Sequence, residues 1–384
     1  MTITESSDPL RKFAGVSAVA ALGVLMAACS GLGVTPAPPV GPADETNRIE
    51  TSAWPPPAPE YGFFKPRTAE LEFVITISDV HVLDGEALRR SNRERGIPPY
   101  QKPTLLVWCA GPPELVNQRG VEWLDVSPEP TDTFQDDEHG NPIQFWDLSD
   151  RLTSGTNITL RRHFRFTTWE YRPLQGHQAT AVALSDTMSP RLMSLYTRPE
   201  PFLQLTDEMR ETARRAIGTE THPLFQAERL FEFVRGHMSY VYPPERRGAL
   251  EALHSGRGDC GQYAYLFIAL CRSLHIPARQ QSGFRIGDDS IGYHVWAEIY
   301  LPPYGWIPVD ATEKDGFGRL DNRRLVSSVG THIPLRHAPT WATYANSDVE
   351  AGRTDFMQFM TIVQSGIEAR ITGERRIIRI TGSD

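Results

Sequence analysis

The apolar residues of this chain repeat with two different periods, and the period changes near residue 200. Upstream it is two. Leu71, Phe73, Ile75 and Ile77 alternate with Glu72, Thr76 and Ser78, so an extended strand there has one apolar face and one polar face. Ile158, Leu160, Phe164 and Phe166 repeat the pattern, with Arg162 interrupting it. Between these runs, Asp137-Glu138-His139-Gly140-Asn141-Pro142 is turn chemistry. It lacks the alternating oxygen ligands and closing Glu of a calcium loop, so it reads as a hairpin turn. An antiparallel β-sandwich over 67–200 is expected.

Downstream the period is helical. Thr206 is placed to cap a helix carrying Met209, Ala213 and Ala216. A second stripe, Leu224, Ala227, Leu230, Phe231, Val234 and Met238, stops at Tyr242-Pro243-Pro244. A second, α+β domain is expected over 201–320. Residues 321–384 hold two strand-like runs, 359–363 and 376–380, that could complete a sheet of either domain.

Ahead of both domains, Arg11-Lys12 precede an apolar run from Phe13 to Ala28. A basic flank, a short apolar core and small residues describe a secretory signal over 1–28. The run is short for a membrane span, which needs about 20 residues. Cys29 directly after Ala27-Ala28 resembles the lipobox of bacterial lipoproteins. That resemblance implies a lipidated Cys29, and so an exported protein anchored to a membrane of the cell envelope, on its periplasmic or other extracytoplasmic face. An ordinary cleaved signal, with Cys29 incidental, is the competing reading. Residues 29–66 include Pro55-Pro56-Pro57 and have the composition of an extended, semi-rigid spacer.

A net charge of -8 argues against a nucleic-acid partner, which would need clustered Lys and Arg. The basic pairs Arg161-Arg162 and Arg375-Arg376 read as solvated strand positions. If Cys29 is acylated, Cys109, Cys260 and Cys271 remain, and an odd number keeps at least one thiol out of any bridge. Cys109 lies in a strand-like run and Cys271 in a helix-like one. A bridge between those two stays open and would not involve Cys260.

Gly256-Arg257-Gly258-Asp259-Cys260-Gly261-Gln262 is the stretch that points to chemistry. The glycines permit a tight turn, Asp259 is a good N-cap, and Gln262 has the spacing of a capping box. Tyr263, Leu266, Phe267, Leu270, Cys271 and Leu274 follow at helical spacing until His275-Ile276-Pro277. Cys260 thereby falls on the first turn of a buried helix, where the helix dipole and unpaired N–H groups favour a thiolate. Most unbridged cysteines are small core residues, but a glycine-rich turn and a cap suit a nucleophile better. Residues 292–301 read as a strand and 306–312 as its return. A three-residue loop between them puts Asp310 opposite Trp296, a diagonal step from His294 on the same face. A two- or four-residue loop would separate them. Core packing suits Trp296 and Trp306 better than a substrate groove, and His275 and His332 receive no role.

Gly258-Asp259-Cys260 opening a helix, His294 on a strand, and Asp310 within Trp306-Ile307-Pro308-Val309-Asp310-Ala311-Thr312 together resemble the bacterial transglutaminase-like superfamily. Tyr240 before the Cys block and Ile276-Pro277-Ala278-Arg279 with Gly283 after its helix add to the likeness. The resemblance implies an α+β, papain-like transglutaminase core preceded by an antiparallel β-sandwich domain. It implies a Cys-His-Asp triad acting on amide bonds: Cys260 the nucleophile, His294 the base and acid, Asp310 the residue that orients the ring. No metal or organic cofactor is implied. The backbone N–H of Cys260 is the first expected oxyanion donor and Tyr240 the candidate for the second. The expected function is acyl transfer from an amide or peptide in the cell envelope, with hydrolysis slightly favoured over transamidation. The alternative is a non-catalytic envelope lipoprotein using the same fold for binding or assembly. Oligomeric state is left open.

Overall fold

The computed structural model describes residues 62–172, 188–302, 304–342 and 352–382. The signal-like segment 1–28, Cys29 and the linker up to residue 61 lie outside the described residues. β1 (Gly62–Val82) opens the fold, so residues 62–66, assigned to the linker, are already strand. There follow α1 (Gly85–Glu94), β2 (Thr104–Ala110), β3 (Gln118–Ser127), β4 (Asp132–Gln135), β5 (Pro142–Asp147) and β6 (Ile158–Arg172). The expected hairpin turn joins β4 to β5. The Asp136 carboxylate holds it by accepting the backbone N–H groups of Glu138, His139 and Asn141.

The helical part follows with α2 (Pro190–Thr197), α3 (Asp207–Ile217), α4 (Pro223–His237), β7 (Ser239–Tyr240), α5 (Ala249–Ser255), β8 (Arg257–Gly258) and α6 (Cys260–Ser273). Strands β9 (Ala278–Ile286), β10 (Ile291–Leu301), β11 (Gly305–Val309) and β12 (Arg324–Val329) form an antiparallel sheet in the order β11-β10-β9-β12. Then come β13 (Ile333–Pro334), β14 (Arg353–Thr354), β15 (Thr361–Ser365) and β16 (Ile367–Gly382).

The last two strands complete the first domain. One sheet runs β16-β1-β6-β3 and the other β15-β2-β5-β4. Their facing sides form one apolar layer: Leu71, Phe73, Ile75 and Ile77 of β1 and Leu160, Phe164 and Phe166 of β6 cluster with Leu105, Val107 and Cys109 of β2 and Ile362 of β15. The fold is therefore a β-sandwich joined to a papain-like α+β core, with the core inserted between β6 and β15 of the sandwich chain. Phe284, Ile286, Ile291 and Leu325 of the core sheet belong to the same apolar cluster, so the two units share buried surface.

Two further features depart from the sequence reading. Each basic pair has one buried member: Arg162 is 1% and Arg375 6% exposed. Alternation on a strand forces this, because position 162 must face inward with 160 and 164. Arg162 meets the Ala110 carbonyl and Gln144 Oε1, both at 3.3 Å, and Arg375 lies over the Tyr293 ring at 4.0 Å. Their neighbours Arg161 and Arg376 do face outward, and both pair with Glu72. Helix α2, within the span assigned to the sandwich, buries Leu195 and Tyr196 and packs against α6 and β9.

Helix α6 is the spine of the core. Every one of its residues is buried, and α3, α4 and α5 pack around it while β9 and β10 support it. Leu266, Phe267, Ile268 and Leu270 are fully enclosed, each contributing roughly 1.5–3 kcal/mol by burial. The first turn of this helix is therefore held in place by the packing of the rest. Among the described residues no helix is long and apolar enough to cross a membrane.

Candidate active site

The turn leading into α6 is built from both glycines and a strand bridge. Gly256 adopts a left-handed φ of 61° to close α5. A Cβ on Gly258 would stand 2.4 Å from the Gln262 Cβ, so only glycine lets the chain approach the helix this closely. Ser239 and Tyr240 pair in parallel with Arg257 and Gly258, which fixes Tyr240 beside the turn, with its side chain largely exposed.

Asp259 is the N-cap, its Oδ1 accepting the Gln262 N–H at 3.1 Å. The reciprocal half of a capping box is absent. The Gln262 side chain instead accepts from Gly248 N at 2.8 Å and donates to the Arg246 carbonyl at 3.0 Å. It is used to clamp the loop before α5. That loop supplies Arg247, which donates to Asp259 Oδ2 at 2.8 Å and gives the cap a second anchor.

Cys260 follows as the first residue of α6, at 8% exposure, whereas Cys271 on the same helix has none. Cys109, Cys260 and Cys271 are all thiols, so no bridge joins Cys109 to Cys271. Burial pushes the Cys271 thiol well above its usual range and raises that of Cys109, which the Arg162 charge opposes.

Of the loop lengths left open by the sequence, the β10–β11 hairpin has three residues, with Leu301 paired to Gly305 and Ala297 to Val309. The next position in the register, Asp310, falls opposite Trp296. His294 Nε2 and Asp310 Oδ2 stand 2.6 Å apart. A carboxylate can only accept, so Nε2 carries the proton. Val295, Ala297 and Ile299, on the opposite side of β10, pack into the cluster formed with α6. The strand bearing the imidazole thus lies against the helix that Cys260 heads.

Asp310 has more partners than His294. Thr312 donates its N–H at 3.1 Å and its hydroxyl at 2.6 Å to Oδ1, and Arg324 donates to Oδ2 at 2.5 Å. Burial alone would raise this carboxyl, but His294, Arg324 and Thr312 outweigh it and hold it well below the usual range. Sequence reasoning placed Asp310 but missed Arg324, Thr312 and Arg247. Thr312 stands inside the Asp310 motif, whereas Arg324 comes from a segment with no evident pattern.

The two tryptophans are packing residues. Trp296 is 1% exposed and stacks beside the His294 ring at 5.9 Å. The Trp306 ring is covered by the Arg279 guanidinium at 3.7 Å. His275 takes a left-handed φ of 60° just after α6. Among the described residues no group of His, Cys, Asp and Glu is arranged to hold a metal ion.

Residues 210–311, which contain Cys260, His294 and Asp310, match the family model of the transglutaminase-like superfamily core. An uncharacterised protein of Haemophilus influenzae is 26% identical over 175 residues, a match that spans 37% of this chain and 46% of that protein. Among solved structures, a candidate cysteine protease of Cytophaga hutchinsonii aligns over 81% of this chain and 92% of its own, with TM-score 0.48 and 15% identity. The periplasmic domain of TgpA from Pseudomonas aeruginosa aligns over 64% and 88%, with TM-score 0.34 and 16% identity. At these scores neither resemblance bears on activity.

Proposed function

The chain carries a transglutaminase-like core, and from that premise we propose that it is a thiol-dependent acyl-transfer enzyme acting on amide or peptide bonds through Cys260, His294 and Asp310. The observation that carries the proposal is the 2.6 Å contact between His294 Nε2 and Asp310 Oδ2, made on a strand that packs against the helix headed by Cys260. With Nε2 engaged by the carboxylate, Nδ1 is the nitrogen left to exchange a proton with the thiol.

The steps follow from these groups. Cys260 Sγ gives its proton to His294 Nδ1 and attacks the carbonyl carbon, and the carbonyl oxygen takes the negative charge. The positive end of α6 and the Cys260 backbone N–H stabilise both the thiolate and that oxyanion. Tyr240, held beside Gly258 by the β7–β8 bridge, is the candidate second donor. As the C–N bond breaks, the imidazolium returns its proton to the leaving amine, and a thioester to Cys260 remains. Water or a second amine, deprotonated by His294, then releases the acyl group, with hydrolysis favoured slightly. Asp310 keeps the ring in one tautomer and orientation throughout.

The leader-like 1–28 and the lipobox-like position of Cys29 support placing this activity outside the cytoplasm, on a membrane-anchored protein, with envelope peptides or proteins as substrates. The test is alkylation of Cys260 measured against pH. An activated thiol reacts well below the ordinary pKa of about 8.5 and loses that advantage in His294→Ala. A rate that follows an ordinary thiol would overturn the catalytic reading in favour of a binding or assembly module. Incubation with candidate peptides and a labelled primary amine, with Cys260→Ser as control, then separates transamidation from hydrolysis.

A further inference from the structure

Asp310 does not serve His294 alone. Arg324 Nη1 reaches Asp310 Oδ2 at 2.5 Å, the same oxygen that His294 Nε2 meets at 2.6 Å. The other guanidinium nitrogens are also engaged, Nη2 by Glu313 at 2.8 Å and Nε by Asp321 at 3.3 Å. The Arg324 side chain is 1% exposed, and its Cζ lies 5.5 Å from the centre of the Trp296 ring, on which His294 stacks. Resting on the triad reading above, we infer that Arg324 is a positioning residue of the site, clamping the Asp310 carboxylate and sharing its charge with the imidazole.

Three physical points support this. First, a planar guanidinium can meet three carboxylates at once, whereas an ammonium cannot reproduce that geometry. The loop from Asp310 to Asp321 is thereby tied to the oxygen that holds the ring. Second, with Thr312 on Oδ1 and both the Arg324 guanidinium and the His294 N–H on Oδ2, the carboxylate has one orientation available. Third, an oxygen that serves two cations gives less to each. The His294 imidazolium is less stabilised than it would be by an unshared carboxylate, and it releases its proton to a leaving amine more readily. Arg324 lies on β12, beyond the segment 210–311 that matches the superfamily model.

The other charges near the dyad are largely paired with one another. Arg285 of β9 pairs with Glu313 and Asp321, Arg279 pairs with Glu298 on the His294 side of β10, and α6 brings Cys260. Removing Arg324 therefore takes one positive charge from beside the imidazole without supplying another.

The test is the titration of the His294 imidazole by nitrogen-detected NMR in the full chain, assigned by loss of its signals in His294→Asn. In Arg324→Gln the ring is expected to titrate roughly one pH unit higher than in the wild type. In Arg324→Lys, which keeps a charge and loses the fork, a smaller upward shift is expected; this variant decides the matter if Arg324→Gln fails to fold. A purely structural arginine would lower the melting temperature and leave the titration in place, so an unmoved imidazole in a folded variant overturns the inference. Cys260 alkylation by iodoacetamide on the same samples separates the two readings. If the wild-type thiol is activated and the imidazole does not move, this inference alone fails. If the wild-type thiol behaves as an ordinary one, the triad reading fails and this inference falls with it.

Discussion

The two ends of α6 carry a cysteine each, Cys260 and Cys271, on one helix in one apolar cluster, yet their surroundings are opposite. At the N-terminal end the backbone N–H groups point toward Asp259, Arg247 braces the cap at 2.8 Å, and the strand with His294 and Asp310 runs alongside. At the C-terminal end Cys271 is fully enclosed, and the nearby charge of Arg272 is spent on carbonyls and on Glu200 at 3.4 Å. Burial holds the Cys271 thiol protonated. The thiol group is the same in both; helix polarity and the polar groups around it separate a candidate nucleophile from a packing atom.

The largest expected break in that symmetry is in activity. Cys260→Ala should lower turnover by roughly 10³-fold or more, with the circular dichroism spectrum unchanged, while Cys271→Ala should stay within about twofold of wild type. Comparable losses in both variants would remove the distinction between the two ends.

A second expected effect concerns charge near the first half of α6. Tyr265 donates its hydroxyl to Asp355, and burial raises this carboxyl to about 7, although Tyr265 and Arg247 oppose it. A carboxyl whose folded pKa exceeds its unfolded value of about 3.9 binds more protons in the folded state. Its contribution therefore falls as pH rises from about 4 to about 7, by at most about 1.4 kcal/mol per pH unit. Asp355→Asn should flatten that part of the stability-versus-pH curve, read from urea midpoints. Unchanged curvature would show that Asp355 does not titrate in this window. Asp310 is the counter-case: also buried, but held by His294, the Arg324 guanidinium and the Thr312 hydroxyl, it stays ionised.

How far these contrasts could be read from sequence depends on the range of the interactions. Local ones are legible: Thr206 and Asp259 as caps and the stripe of α4; the diagonal from His294 to Asp310 is legible only as one outcome of a loop length that the sequence leaves open. Long-range ones are not. Gln262 has the spacing of a capping box, and only the approach of the 246–248 loop shows that its amide is used elsewhere. The charge of Arg162 points to solvent, whereas its place in the alternation of β6 sends it inward. Nothing in residues 321–384 marks Arg324 as the partner of Asp310, because that contact depends on β12 pairing with β9. The return of β15 and β16 to the two sheets of the sandwich is likewise a matter of topology, to which hydrophobic period is blind.

Two smaller effects sharpen the comparison of the helix ends in stability. Asp259→Ala removes the N-cap and leaves the Arg247 side chain, 22% exposed in the wild type, without that carboxylate. The expected cost is roughly 2 kcal/mol, with slower alkylation of Cys260 because its turn is less firmly held. A loss of stability with no change in alkylation would show that the cap supports the helix alone.

Cys271→Ala should cost less, roughly 1 kcal/mol. The sulfur is fully enclosed, and removing it leaves a small void that rigid neighbours do not fill. Alanine is the better helix former by a few tenths of a kcal/mol, which offsets part of the loss. Position 271 is in the last turn of the helix, where its backbone carbonyl accepts the N–H groups of Leu274 and Ile276, both at 3.0 Å; the substitution leaves that carbonyl in place, and alkylation of Cys260 should proceed at the wild-type rate. The two substitutions thus differ in whether thiol reactivity changes at all. Disturbing the N-terminal end changes thiol reactivity along with stability, while disturbing the C-terminal end changes stability only. If Cys271→Ala altered the pH dependence of Cys260 alkylation, the helix would be transmitting packing changes from one end to the other, and the reactivity of its first residue could not be assigned to local groups alone.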